Sequence, residues 1–198
     1  MLSTLDISAH FEKYWPLESA TIDLLKECIV KKVIKRKEFL LAEGQYCNHV
    51  NFVIKGVLKL FHTDDHGKLH TLQFASEGDW LTDYSSLYNN SLSQLSIQAL
   101  EPSQVLQLKK EDVFRLYDNS PLFDRNMRIS VENAFIEQQQ RVLQNISSTA
   151  QEKYDYFLRK YPHLSNRISN VQIASYLGIT PEFLSTLRKK RTASASFS

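Results

Sequence analysis

Residues 169–191 read SNVQIASYLGITPEFLSTLRKKR, and the spacing of cap-forming, small and apolar residues predicts two short helices joined by a tight turn. Ser169 and Gln172 have capping-box spacing, so the first helix can begin with two of its free amides satisfied. Ile173 and Leu177 then face one side, and Ala174 lets a second helix cross closely. Gly178 suits the left-handed residue that ends a helix. Thr180 caps a second helix over 181–190, Pro181 fits its first turn, and Glu182 favours its positive end. Leu184 and Leu187 form the inward side, which leaves Glu182, Ser185, Thr186 and Lys189 on one exposed face. A helix-turn-helix lays such a face in the major groove of duplex DNA, whereas an ordinary helical hairpin shares only the apolar pattern.

Charge separates the two readings. From residue 153 onward there are eight Lys and Arg against two acids, while residues 1–152 carry sixteen against twenty. A formal net charge of +2 therefore hides a basic C-terminal module on an acidic body, the asymmetry of a nucleic-acid reader. On that reading Glu182, Ser185, Thr186 and Lys189 meet base edges, and Arg167, Thr180, Arg188, Lys190 and Arg191 meet phosphates.

The 198 residues suffice for one or two domains with real cores. Cys28 and Cys47 are the only cysteines, too few for a disulfide scaffold or a cysteine-ligated iron–sulfur cluster. The expectation is a cytoplasmic protein with free thiols. No apolar run is long enough to span a bilayer, and the start MLSTLDISAHFEKYW lacks the basic-then-apolar pattern of a secretory signal.

Upstream, Gly44, Gly56, Gly67 and Gly78 recur at intervals of twelve, eleven and eleven. Strand-like runs lie around them at 39–42, 50–54, 57–62 and 69–74, followed by 96–100 and 104–108. This spacing predicts an antiparallel β-roll or barrel, preceded by a helix near 20–32. Asp64, Asp65, His66 and Gly67 have hairpin-turn chemistry. From 121 to about 146 the pattern becomes that of one long helix. Ile129, Ile136 and Leu143 recur every seven residues, with Val131, Phe135, Val142 and Ile146 beside them, so the stripe is wide enough for two partners. Ile129, Phe135, Ile136, Val142 and Leu143 are the expected homodimer contacts, interrupted by Glu132 and Gln139. Residues 145–150, NISSTA, read as a hinge. The organisation is thus α+β: a roll domain over 1–120, a dimerisation helix over 121–147 and a helix-turn-helix domain over 148–198.

With its parts in this order the chain resembles the Crp/Fnr family of bacterial transcription regulators over nearly its whole length. Residues 40–61 (LLAEGQYCNHVNFVIKGVLKLF), 67–81 (GKLHTLQFASEGDWL) and 173–190 (IASYLGITPEFLSTLRKK) carry the resemblance. It implies a homodimeric, effector-gated regulator of transcription: a cyclic-nucleotide-binding-type roll, a dimerisation helix and a winged helix-turn-helix that reads an inverted-repeat operator, with RNA polymerase as a further partner. The region before Ser169 is short for a full wing. Carried over by position, the effector pocket falls on Gly78, Asp79, Thr82, Asp83, Ser93 and Gln94.

Two departures alter the expectation. The family's Gly-Glu-Leu element becomes Thr82, Asp83 and Tyr84, and its Arg-Ser/Thr-Ala element becomes Ser93, Gln94 and Leu95. No Lys or Arg stands between Lys68 and Lys109. A buried phosphate without a cationic partner is costly to desolvate, so the expectation is either an unidentified small molecule in place of cyclic AMP or a pocket with no ligand. On the recognition helix, Glu182 alone keeps the family's residue type, so the operator should differ from those of the best-known members.

The competing classes are a cyclic-nucleotide-binding regulatory module and a cupin-like β-barrel enzyme. The enzyme would need a close histidine pair with a carboxylate around a metal. His62, His66 and His70 are four apart across a hairpin, a spacing that spreads them rather than converging them. No catalytic triad and no Gly-rich phosphate loop can be assembled. The sequence therefore points to a non-enzyme without catalytic residues, metal or cofactor, whose partners are double-stranded DNA and a second copy of itself, with no membrane.

Overall fold

A computed structural model of the protein describes residues 3–12 and 14–195. The chain divides into two compact units, one gathering residues up to 62 and 72–133, the other 63–71 and residues from 134 onward.

The first unit opens with helices α1 (Ser3–Glu12) and α2 (Ser19–Cys28). Eight strands follow: β1 (Val30–Ile34), β2 (Phe39–Leu41), β3 (His49–Lys55), β4 (Leu58–Thr63), β5 (Leu69–Ala75), β6 (Trp80–Leu81), β7 (Ser96–Ala99) and β8 (Ser103–Lys109). They form two four-stranded sheets in the orders β1-β8-β3-β6 and β2-β7-β4-β5. Leu106 of β8 stands opposite both Lys31 of β1 and Phe52 of β3, in antiparallel register. Val50, Phe52, Leu58, Leu60, Ile97, Val105, Leu106 and Leu108 fill the core, each worth about 1.5–3 kcal/mol when fully removed from water. The β3–β4 turn needs glycine. Gly56 has φ +105°, and a Cβ there would lie 2.1 Å from Ser103 Oγ. Helices α3 (Tyr84–Asn89), α4 (Lys110–Asn119) and α5 (Pro121–Ser147) follow the strands, α3 between β6 and β7 and the other two after β8.

The predicted roll and long helix are present, with one error at the entry. The helix expected over 20–32 stops at Cys28, where the Ile29 amide bonds back to the Leu25 carbonyl. Val30, Val33 and Ile34 then extend as β1 along β8, because β-branched residues with a strand to pair against prefer the sheet. At the hairpin tip, Gly67 takes φ +75° and Asp64 Oδ1 accepts from the amides of His66 and Lys68 at 3.0 and 2.9 Å, as the turn chemistry required.

The division between units falls within α5. The second unit contains its C-terminal part, α6 (Ala150–Lys160), α7 (Asn170–Leu177), α8 (Pro181–Ala195) and the tip of the β4–β5 hairpin. Its core is built from Phe157, Leu164, Ile173, Ala174, Leu177, Leu184 and Leu187. Within the expected hinge at 145–150, only Ser148 and Thr149 lie outside a helix. Thr149 and Glu152 form a full capping box at the start of α6; Thr149 falls inside the expected hinge, and no cap is expected from sequence at either residue. Conversely, Ser169 is the N-cap residue of α7, but its side chain makes no capping bond; the Gln172 amide bonds to the Ser169 carbonyl instead. Among the described residues, 134–195 hold no strand, so no wing hairpin flanks α7 there. No described helix is long and apolar enough to cross a membrane.

Candidate nucleic-acid interface and effector pocket

Helices α7 and α8 meet as the apolar spacing demands. Ile173, Ala174, Leu184 and Leu187 are buried, and Gly178 closes α7 with φ +70°. Thr180 Oγ1 accepts from the Phe183 amide at 3.2 Å. On the opposite side of α8, Glu182, Thr186 and Lys189 are exposed and Ser185 is half-buried, so the expected reading row does share a face. The hydroxyls of Ser185 and Thr186 donate to the carbonyls of Pro181 and Glu182 one turn back, which leaves their oxygens as acceptors toward solvent.

The expected phosphate contacts are less uniform. Thr180 is exposed and Arg167 half-buried. Arg188 is half-buried, and its guanidinium donates to Asn170 Oδ1 at the start of α7. This residue therefore braces the two helices, a role the sequence reading did not give it. Helix α8 continues five residues beyond the expected end at 190; the side chains of Lys190 and Arg191 lie outside the described residues.

Of the six expected pocket residues, the fold brings three together. Ser93 Oγ donates to Asp83 Oδ2 at 2.6 Å, and Asp83 Oδ1 accepts from the amides of Ser85 and Ser86, capping α3. Thr82 donates to the His49 carbonyl at 3.0 Å and lies 3.2 Å from Cys47 Sγ. Thr82, Asp83 and Ser93 are all buried, so the carboxylate is satisfied within the protein. Gly78 and Asp79 instead form a separate turn, in which Asp79 Oδ2 accepts from the Ser76 amide at 2.8 Å. Gly78 lines a cavity of about 280 Å³ with Ala9, His10, Phe52, Val53, Ile54 and Glu77. Gln94 is exposed, its carbonyl 3.0 Å from His62 Nδ1. The three hairpin histidines have separate surroundings. His70 Nε2 lies 2.8 Å from Asp64 Oδ2 and helps hold that carboxyl below its ordinary range, while His66 is exposed at the tip. Among the described residues, no three His, Cys, Asp or Glu side chains are grouped to hold a metal.

A further cluster escaped the sequence reading. Arg141 donates to the carbonyls of Thr71 at 2.6 Å and Tyr176 at 3.0 Å, with its guanidinium 4.1 Å from the Tyr176 ring centroid. Ser175 Oγ donates to the Leu69 carbonyl at 2.7 Å and accepts from the Thr71 amide at 3.1 Å. Arg141 on α5 and Ser175 on α7 thus tie the hairpin tip to the first helix of the helix-turn-helix. Burial lowers the guanidinium's pKa from its ordinary value, but the negative end of α7 faces it. One signal was available: Arg141 is the only Lys or Arg between Arg128 and Lys153.

The expected dimer contacts are largely uncovered. Phe135, Ile136, Val142 and Leu143 are 62, 49, 57 and 63 % exposed, and Ile129 is half-buried. Val131 and Ile146 extend this apolar band.

Two four-stranded antiparallel sheets, a long helix and a C-terminal helical unit make this the fold of the Crp/Fnr transcription regulators. Residues 31–120 match the family model of the cyclic nucleotide-binding domain. FixK2 from Bradyrhizobium japonicum aligns with a TM-score of 0.75 at 17% identity, over 84% of this chain and 86% of its own. CLP from Xanthomonas campestris, described as a c-di-GMP responsive global regulator, gives 0.73 at 12% identity over 90% and 93%. A CooA mutant from Carboxydothermus hydrogenoformans gives 0.71 at 18% identity over 86% and 79%. A search of curated proteins found no match.

Proposed function

We propose that the chain is a cytoplasmic DNA-binding transcription regulator of the Crp/Fnr type and not an enzyme. It acts as a homodimer on an inverted-repeat operator, and a small molecule other than cyclic AMP gates it. The observation that carries the reading is the exposed row Glu182, Ser185, Thr186 and Lys189 on a helix held against α7 by a buried apolar seam. A rigid polar row of this length suits the floor of a major groove. Arg167, Thr180, Lys190 and Arg191 supply phosphate contacts around it. Arg188 adds charge while bracing α8 against Asn170. The bare apolar band on α5 favours pairing with a second copy, and on this reading the dimer's two α8 helices meet successive major grooves, about one helical turn of DNA apart. RNA polymerase is the partner such a regulator addresses.

Against cyclic AMP stands Ser93, which occupies the position where the resemblance expects the phosphate-neutralising arginine and whose hydroxyl is bonded to Asp83. An anion entering would meet the negative charge of Asp83 without a basic partner. Selection of duplexes from a random library by the purified full-length protein tests the function. The reading expects an enriched inverted repeat; recovery of no enriched sequence would refute it.

A further inference from the structure

We propose that Phe183 reads the C5 methyl group of a thymine in each operator half-site. The inference rests on the DNA-binding reading above and deepens it, because it assigns a base to a side chain outside the expected reading row of Glu182, Ser185, Thr186 and Lys189. Phe183 is 47 % exposed, and among the described side chains of α8 it is the one large apolar group open to solvent. Leu184 and Leu187 are 0 and 6 % exposed, so the seam against α7 closes without this ring. At about 100° of turn per residue, Phe183 stands about 60° round the helix from Thr186, between the exposed polar row and the buried side.

The helix start fixes its direction. Thr180 Oγ1 accepts from the Phe183 amide at 3.2 Å and the Leu184 amide bonds to the Thr180 carbonyl at 3.0 Å, so the first turn of α8 is held and the Cβ of Phe183 with it. The ring turns about only two side-chain bonds, and ordering it against a partner costs little entropy. The major groove offers it one apolar partner. Base edges there carry hydrogen-bond donors and acceptors, except for the C5 methyl group of thymine, and a hydrocarbon ring gains nothing from a donor, an acceptor or a phosphate. Successive Cα atoms are about 3.8 Å apart and successive bases on a strand about 3.4 Å, so the methyl group falls on a base pair next to the one that Glu182 reads. The inferred half-site thus carries a thymine beside the base that donates to Glu182.

The test uses full-length protein and the library-selected operator, with deoxyuridine replacing thymine at one position of both half-sites at a time. The exchange removes a methyl group and nothing else. At the position next to the base pair whose preference Glu182→Ala erases, wild type should bind about fourfold more weakly for each half-site, the worth of one buried methyl group. An apolar contact releases no counterion, so the loss should be the same at low and high salt. Phe183→Ala should bind the thymine and deoxyuridine operators equally, and Phe183→Leu should keep part of the difference. Both variants should unfold at the wild-type temperature, because the ring lies outside the buried seam. If the selected half-sites contain no thymine, if wild type loses nothing at any position, if the loss vanishes at high salt, or if Phe183→Ala keeps the full difference, the proposal fails while the helix-turn-helix reading stands. If wild type enriches no sequence from the library, that reading fails and this one with it.

Discussion

Ser93 Oγ donates to Asp83 Oδ2 across 2.6 Å, so a serine and a carboxylate close on each other where the resemblance places a phosphate-neutralising arginine and its neighbouring glutamate. Asp83 also caps α3 through two amides, which makes it a structural acceptor with three donors. Asp83→Ala should therefore cost about 2–4 kcal/mol, by loss of a cap and by stranding the buried Ser93 hydroxyl. Ser93→Ala should cost about 1–3 kcal/mol. Denaturant unfolding measures both, and wild-type stability in Asp83→Ala would contradict this role. Calorimetry with cyclic AMP on the native protein should give no saturable heat; a micromolar isotherm would overturn the assignment.

Arg141 holds the carbonyls of Thr71 and Tyr176, and its removal leaves both without that donor. Arg141→Ala should destabilise the second unit by about 2–3 kcal/mol. Amide exchange should quicken at residues 69–71 and in α7. Arg141→Lys keeps the charge on a shorter stem and loses the planar stacking on the Tyr176 ring, so it should recover only part of the protection. Unchanged exchange in the alanine variant would show that the clamp contributes nothing.

How far these features were legible differs by kind. The roll, the long helix and the helix-turn-helix follow from local periodicity and from turn residues such as Gly67 and Gly178, whose conformations depend on near neighbours. Strand β1 was misread because 20–32 looks continuous, and only the partner strand about seventy residues later turns Val30, Val33 and Ile34 into a sheet edge. The exposed polar face of α8 was legible because helical spacing fixes a face. The bracing of Arg188 on Asn170, the Asp83–Ser93 bond and the Arg141 clamp were not, since each joins residues whose meeting depends on tertiary packing.

Lys59 is 1 % exposed, with its ammonium 3.9 Å from the Phe61 ring centroid, and burial lowers its pKa to about 8. The folded value lies below the ordinary 10.5, so between these limits the unfolded chain binds more protons and stability rises with pH. Below pH 8 the penalty for the buried charge is felt in full. Lys59→Met should abolish that rise and stabilise the protein near neutral pH by about 2 kcal/mol. Thermal unfolding across pH 7–10.5 checks this; a methionine variant less stable than wild type at pH 7 would refute it.

The apolar band on α5 predicts a dimer. Ile136→Asp or Leu143→Asp should give monomers in sedimentation velocity while leaving the fold intact, because both side chains are exposed in the single chain. Operator affinity should fall with dimer loss. Wild type sedimenting as a monomer at micromolar concentration, with full operator affinity, would contradict the prediction.

The most direct test of the central claim compares Glu182→Ala and Lys189→Ala on the selected operator and on each of its single-base variants across a salt series. A carboxylate at the start of α8 can accept from a cytosine amino group, so Glu182→Ala should cost about 1–3 kcal/mol at one base pair and erase the preference there. Lys189 is exposed on the same face, further along α8. Its loss should weaken binding to every variant and, where it meets a phosphate, flatten the salt slope by about one. If both substitutions leave affinity, base preference and salt slope unchanged, α8 does not read DNA and the account fails.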